Sequence, residues 1–150
     1  MATRSTRPDW EIPADEFGKS LRGFGINLLV SDIAASRAFA EQVLEAETVY
    51  WNEDFAVLRQ GQAQCMLHAD HTYQDNPLSG FLRGTSGRGQ GAEFHLYELD
   101  PDTAEARARE RGDVVLAGAL NKPHGLREAY ILDPDGYCWV CSRPLADGED

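Results

Sequence analysis

The sequence has no long hydrophobic run. No apolar segment of the 150-residue chain approaches the roughly 18 residues that a membrane-spanning helix needs. Residues Met1 to Ser20 are polar and lack the apolar core of a secretory signal peptide. We therefore expect a cytoplasmic protein with no membrane partner.

Positive charge is also scarce. The chain has 14 Lys and Arg against 25 Asp and Glu, which gives a formal net charge of −11. Nucleic acids bind to basic surfaces, so we expect no nucleic-acid partner. An acidic chain stays soluble, and it also attracts cationic small molecules into a cleft.

Cysteine is rare, and its three copies cannot all pair within one chain. Such usage is typical of a reducing compartment. Cys138 and Cys141 form a CxxC motif, but the flanking residues predict a strand. Residues three apart on a strand point to opposite faces and lie roughly 10 Å apart, too far for a disulfide. We expect buried thiols.

Two halves of the chain show the same order of predicted elements. The first half predicts a strand at 24–30, a helix capped by Ser31 or Asp32, and strands at 47–51, 55–60 and 62–69. The second half predicts a strand at 93–99, a helix from the cap Asp100-Pro101 to a stop at Gly112, and strands at 114–116, 129–132 and 137–141. The segment between them holds five glycines within Gly80 to Gly91, which predicts a linker.

Each half therefore reads as one βαβββ module, and the predicted fold class is α+β with two such modules. The predicted organisation is an N-terminal arm at 1–21, a first module at 22–71, a glycine-rich linker at 72–91, a second module at 92–144 and an acidic tail at 145–150.

The doubled module, together with Asp133-Pro134-Asp135-Gly136-Tyr137, resembles the glyoxalase/bleomycin-resistance/dioxygenase (vicinal-oxygen-chelate) superfamily. The resemblance spans Phe24 to Pro144. Within it, Pro123-His124-Gly125-Leu126-Arg127-Glu128 is similar to the Pro-Trp-Gly-x-Arg-Glu stretch of bleomycin-binding members, the metal-free branch. The resemblance implies a curved mixed sheet around a cleft, a homodimer and a small-molecule ligand.

Metal-dependent members place ligands early in the first strand of each module and in the last strand. Counting from Val30, Leu99 and Gly136, the matching positions are Gly25, Phe94 and Val140, which offer no donor atom. We therefore expect neither metal nor cofactor and assign no catalytic residue. If the register of this strand is shifted by one residue, the ligand position falls on Glu93 or His95, which flank Phe94.

Strand alternation predicts the ligand-binding residues once Gly25 and Phe94 are taken to face the cleft. They are Asn27, Gln64, Met66, His68, Phe94, Leu96, Glu128, Tyr130 and Val140. An apolar lining with a few polar groups is typical of small-molecule pockets. In this register His95 and Tyr97 pack under a helix, and Glu128 either serves the site or pairs with Arg127.

The sequence is consistent with two alternative functions. The first is a binding protein that sequesters an aromatic or cationic compound in a metal-free cleft. The alternative is a dioxygenase, lyase or isomerase that uses a divalent metal held by residues among His68, His95, Glu93 and Glu98. The sequence does not name the ligand.

Overall fold

Two βαβββ modules follow one another along the chain in the computed structural model, which describes residues 13–72 and 74–150. The first 12 residues of the predicted N-terminal arm lie outside these ranges. The elements are α1 (Ala14–Ser20), β1 (Asn27–Val30), α2 (Ile33–Val43), β2 (Glu47–Trp51), β3 (Phe55–Gln60), β4 (Ala63–Ala69), α3 (Ser79–Leu82), β5 (Glu93–Tyr97), α4 (Pro101–Arg111), β6 (Val114–Asn121), β7 (Leu126–Leu132) and β8 (Cys138–Pro144), with a 3-10 turn at Asp70–Thr72.

Each module forms its own four-stranded sheet, and the two sheets have the same topology. The strand order is β1-β4-β3-β2 in the first sheet and β5-β8-β7-β6 in the second. The pairs β1–β4 and β5–β8 are parallel, and every other pair is antiparallel. The predicted fold class, α+β with a repeated module, is confirmed.

The helix boundaries follow from local chemistry. The Asp32 carboxylate accepts hydrogen bonds from two backbone N–H groups in the first turn of α2. Asp100 caps α4 in the same way, with Pro101 at the first helical position. Gly112 ends α4 at φ +83°, a conformation that favours glycine.

One hydrophobic core joins the modules. Helices α2 and α4 each cover one face of a sheet, and they contact each other. Their buried side chains pack with the covered faces of both sheets, so that Phe39 and Leu44 from the first module share a cluster with Leu96 and Trp139 from the second. We call the face of each sheet that is turned away from these helices its open face.

Arg88, in the predicted glycine-rich linker, connects the two modules. Its side chain is only 4% exposed, and both Nη atoms donate to the Asp70 carboxylate at 2.7 Å. Nη1 also donates to the carbonyl oxygen of Leu29 at the end of β1, and the Arg88 backbone N–H donates to the carbonyl of Asp135. The linker therefore holds the end of the first strand against the last turn.

The Asp133–Gly136 turn is organised around one buried carboxylate. Asp133 Oδ1 accepts hydrogen bonds from the backbone N–H groups of Asp135 and Tyr137, both at 3.0 Å. Its other oxygen accepts a hydrogen bond from Trp139 Nε1 at 3.1 Å. Gly136 has φ +85°, and a Cβ there would collide with the carbonyl of Ser86. The turn therefore requires its aspartate and its glycine.

Two sequence expectations need correction. Helix α1 lies inside the predicted N-terminal arm, where Pro13 precedes acidic residues in the first turn, and the ring of Phe17 packs edge-on against Phe55. Strand β6 runs to Asn121 rather than to Leu116, because the small residues that follow Leu116 carry little strand preference of their own and are paired by β7. Within the described ranges, no helix is long and apolar enough to span a membrane.

Candidate functional site

Cross-strand pairing shows which residues share the open face of the second sheet. Val140 in β8 pairs with His95 on one side and with Tyr130 on the other. Two residues further along, Ser142 pairs with Tyr97 and with Glu128. Directly paired residues point to the same face of a sheet. The open face of the second sheet is therefore lined by His95, Tyr97, Glu128, Tyr130, Val140 and Ser142.

Phe94 and Leu96 lie on the opposite face from these residues, and with Gln64 they line a separate cavity of about 290 Å³. Phe94 pairs with Trp139 and Leu96 with Cys141, and both partners belong to the shared core. The Phe94 and Trp139 ring centroids are 5.1 Å apart. The expectation that His95 and Tyr97 pack under a helix is therefore wrong.

The carboxylate of Glu128 is the centre of this open face. Glu128 is 2% exposed. Its Oε1 lies 2.9 Å from His124 Nε2, and its Oε2 accepts a hydrogen bond from the Tyr130 hydroxyl at 3.0 Å. Arg127, the alternative partner from the sequence, instead binds Asp102 through two nitrogens. The contacts of Glu128 are therefore made by a histidine and a tyrosine rather than by the neighbouring arginine.

The electrostatics of the pair keep Glu128 ionised and Tyr130 protonated. Burial by itself raises the pKa of Glu128, but the hydrogen bonds from His124 and Tyr130 and the charges of His124 and His95 bring that pKa below its usual value. Burial, and then the hydrogen bond to Glu128, raise the pKa of Tyr130 to about 12. Tyr130 therefore acts as a donor at neutral pH and not as a base.

His95 adds an aromatic and polar edge to the site. Its Nε2 lies 3.0 Å from Glu93 Oε2, and its ring stacks on Tyr97 with centroids 5.7 Å apart. Tyr97 remains 60% exposed. Above Tyr130, the Lys122 ammonium lies 5.2 Å from the ring centroid. The open face thus combines one carboxylate with several aromatic surfaces, an arrangement suited to an organic ligand.

The open face of the first sheet carries the remaining predicted residues. Asn27 Oδ1 contacts His68 Nδ1, and Met66 lies next to them in the register. Burial lowers the pKa of His68, which favours the neutral imidazole. Gln64 lies on the same face but is exposed and accepts a hydrogen bond from Arg59. A cavity of about 420 Å³ on this face is lined by Ala14, Phe17, Leu21, Tyr50, Asn52, Phe55, Val57, Met66 and His68.

Six of the nine predicted ligand-binding residues form two groups on different sheets. Asn27, Met66 and His68 share one open face, and Glu128, Tyr130 and Val140 share the other. Both open faces point away from the same core. One chain therefore carries predicted ligand-binding residues on two open faces, one on each sheet.

Sequence reasoning missed His124 and Ser142. His124 reaches Glu128 because the chain turns at Gly125, which has φ +88° and precedes β7. Ser142 follows Cys138 and Val140 in alternation along β8, so extending the predicted strand beyond Cys141 would have placed it on the open face.

The donor groups on the open face do not fit the superfamily's metal site. Among residues 13–72 and 74–150, no group of three or more His, Cys, Asp or Glu side chains is arranged to hold a metal ion. The structure places Glu93 and His95 rather than Phe94 on the open face, while Gly25 and Val140 supply no donor. The thiols offer no nucleophile either, since burial raises the pKa values of Cys65 and Cys141 to about 12.

No protein-family model matches the sequence, and a comparison with curated proteins finds no match. Solved structures do match. A glyoxalase-related enzyme from Fulvimarina pelagi has a TM-score of 0.65 at 19% identity, over 87% of this chain and 96% of the other. A glyoxalase/bleomycin resistance protein/dioxygenase family enzyme from Burkholderia phytofirmans PsJN has a TM-score of 0.66 at 18% identity, over 80% and 96%. A glyoxalase/bleomycin resistance protein/dioxygenase from Nocardioides has a TM-score of 0.61 at 20% identity, over 90% and 95%.

These similarities confirm the fold that the sequence motifs implied. Identities of this size establish the architecture and not the activity. The chain has the glyoxalase/bleomycin-resistance/dioxygenase fold, and its place in the metal-free branch stays a prediction.

Proposed function

We propose, from the glyoxalase/bleomycin-resistance/dioxygenase fold of this chain, that the protein binds a small aromatic or cationic compound without metal and without breaking a bond in it. The observation that carries this proposal is the Glu128 carboxylate, buried on the open face of the second sheet with its pKa held low. A buried carboxylate is costly unless it is compensated. Here His124 and Tyr130 keep it ionised, and an ionised carboxylate attracts the positive charge of a cationic ligand.

The surroundings of Glu128 suit the organic part of such a ligand. Tyr97 and Leu120 are each 60% exposed, and Leu120 pairs with Glu128 across β6 and β7. They lie on the two edge strands of the sheet with Ser142 and Glu128 between them, and exposed apolar side chains of this kind mark binding surfaces. Placed beside one ionised carboxylate, they favour a ligand that has both a ring and a positive charge.

We further propose that two copies of the chain complete the cleft, as the superfamily resemblance implies. Each copy has a cavity on the open face of its first sheet, and the open face of its second sheet has exposed side chains on the edge strands with the buried Glu128 carboxylate between them. Pairing the first sheet of one copy with the second sheet of its partner would bury the exposed side chains Val114, Leu116 and Leu120 of β6. A homodimer is therefore part of the proposal. So is a cytoplasmic location, which suits three free and buried cysteines.

One observation favours the alternative of a divalent-metal dioxygenase, lyase or isomerase. His95 and Glu93 lie on the open face rather than beside the core. They supply two donor groups, but they contact each other, and their neighbour Val140 supplies none. Among the residues that the structure describes, no third His, Cys, Asp or Glu joins them in a group that could hold a metal ion. We therefore rank this function second.

The test is a fragment screen by heteronuclear NMR on protein stripped of metal and checked by elemental analysis. We expect aromatic amines to shift the resonances of β5, β7 and β8 in a saturable way, and Glu128→Gln to weaken this binding by about tenfold or more. The matched control is Glu110→Gln, which removes an exposed charge from α4. Binding that requires zinc, iron or manganese would replace this proposal with the metal-enzyme alternative.

A further inference from the structure

Two polar atoms on the open face of the second sheet are buried without a hydrogen-bond partner among the described residues. They are Ser142 Oγ and His95 Nδ1. Ser142 is 0% exposed. Buried polar side chains nearly always have a partner, so each exception calls for an explanation. A ligand group that forms hydrogen bonds with both atoms would explain why neither has a partner among the described residues.

The register places these two atoms around the Glu128 carboxylate. Ser142 is directly opposite Glu128 on one side and opposite Tyr97 on the other. His95 lies two residues before Tyr97 on the same face. Side chains directly paired across strands have Cβ atoms about 5 Å apart, and diagonal neighbours about 7 to 8 Å. Ser142 therefore lies next to Glu128, and His95 lies diagonally across from Ser142, so the three groups line one patch with Glu128 and His95 on either side of β8.

All three groups have lone pairs that can accept a hydrogen bond, but Ser142 Oγ and His95 Nδ1 are covered by neighbouring atoms, so a ligand reaches them only when those neighbours move. The two Glu128 oxygens each accept one hydrogen bond, from Tyr130 and from His124, and a carboxylate oxygen has room for a second. The Nε2 of His95 contacts Glu93, and in the tautomer in which Nε2 donates to that carboxylate, Nδ1 is an acceptor. The Ser142 hydroxyl can also accept.

Ligand classes differ in how well they match three acceptors. An anionic ligand would be repelled by Glu128, and an alcohol offers a single donor hydrogen. A quaternary ammonium has the charge but no N–H group. A primary ammonium has both the positive charge and three N–H donors, one for each acceptor.

We infer that this patch recognises the primary ammonium group of a small organic amine, bound between the carboxylate of Glu128, the hydroxyl of Ser142 and Nδ1 of His95. The inference rests on the proposed function, because it assigns the charged end of the ligand that the open face binds. The aromatic rings of His95 and Tyr97 then lie beside the organic part.

The chain supplies a matched control for the role of Ser142. Ser36 Oγ is the third buried side-chain atom without a partner among the described residues, and Ser36 lies in α2 within the first module, 6% exposed. Ser36→Ala and Ser142→Ala each remove one unpaired hydroxyl from a buried position. Only Ser142 faces the patch.

The experiment measures binding of three probes with the same ring: benzylamine, benzyl alcohol and benzyltrimethylammonium. We expect the metal-stripped protein to bind benzylamine at least about tenfold more tightly than either other probe, since only benzylamine makes charge-assisted hydrogen bonds to all three groups. Ser142→Ala is expected to weaken benzylamine binding about fivefold, and Ser36→Ala to leave it unchanged. Thermal unfolding of each variant verifies that it is folded.

The outcomes separate this inference from the proposed function. Equal affinity of the wild-type protein for benzylamine and either of the other probes would overturn the ammonium inference and leave small-molecule binding intact. The ammonium inference is also overturned if Ser142→Ala and Ser36→Ala weaken benzylamine binding equally. If no probe shifts the open-face resonances in a saturable way, the proposed function fails as well.

Discussion

Arg88 and Asp70, 18 positions apart in the chain, form two parallel hydrogen bonds, both 2.7 Å long. The guanidinium is almost fully buried, and its Nε also lies 3.8 Å from the buried carboxylate of Asp135. One side chain from the glycine-rich segment therefore neutralises acidic groups from both modules. The contact therefore links the first module to the last turn of the second.

We predict that Arg88→Ala lowers the free energy of unfolding by about 2 to 3 kcal/mol, because it leaves the buried Asp135 without its cation. Arg88→Lys keeps the charge but loses the two-pronged geometry, so an intermediate loss is expected. Urea unfolding measures both. The control is Arg83→Ala, an exposed change in the same segment, expected within about 0.5 kcal/mol of wild type. Similar losses for Arg83→Ala and Arg88→Ala would contradict this role.

Phe94 and Tyr97 should respond to truncation in opposite ways. Phe94 packs on Trp139 in the core, so Phe94→Ala should cost about 3 kcal/mol of stability. Tyr97 is 60% exposed on the open face, so Tyr97→Ala should change stability by less than about 1 kcal/mol while weakening the binding of aromatic amines. Urea unfolding and ligand titration are the two measurements. A Phe94→Ala variant with full stability and impaired binding would restore the register expected from the sequence.

The difference between the expected and the observed register has a local physical cause. In the first module the helix cap, Asp32, comes two residues after Val30, whereas Asp100 comes one residue after Leu99. An alignment of the two modules that treats Val30 and Leu99 as equivalent positions therefore places the residues of β5 one position out of register. The difference of one residue in this spacing is accommodated at Glu98, which lies between the end of β5 and the cap and has φ +65°. Since strand alternation has a period of two, one residue is enough to exchange Phe94 with His95.

Local patterns predict the fold well because local chemistry determines it. The caps at Asp32 and Asp100, the stop at Gly112 and the repeated order of elements all follow from short-range preferences. The candidate site depends on pairing across strands. Ser142 comes to lie beside Glu128 only when β7 and β8 pair, whereas the contact of His124 with Glu128 depends on the turn at Gly125.

The exposed apolar residues of β6 predict a contact between two copies. Leu120 is 60% exposed, and its pairing with Glu128 places it on the open face. We expect Leu120→Asp to convert a dimer into a monomer, because it puts a charge into the apolar contact. Sedimentation velocity measures the mass of each species. Phe81→Asp, at an 81% exposed position on α3, is the control and should leave the dimer intact. A wild-type protein that sediments as a monomer at high concentration would contradict the proposed pairing.

Asp133 should make stability fall as the pH rises from about 4 to about 6. Burial raises the pKa of Asp133 to about 6, although the hydrogen bonds from Trp139 and from the backbone N–H groups of Tyr137 and Asp135 act in the opposite direction. The folded state then holds a proton that the unfolded state, with a pKa near 3.8, has already released. Its contribution to stability is complete below about pH 4 and is lost as the pH passes about 6.

The measurement is the difference in unfolding free energy between the wild-type protein and Asp133→Asn, followed across this range. The asparagine turns an N–H donor towards a backbone N–H or Trp139 Nε1 and so causes a constant loss, but it cannot titrate. We expect the advantage of the wild-type protein to shrink by on the order of 2 kcal/mol between about pH 4 and pH 6. Carboxyl carbon NMR should show the same titration directly. A difference that stays flat with pH, together with a carboxyl that titrates near its ordinary value of 3.8, would mean that the three hydrogen bonds outweigh the burial of this carboxylate.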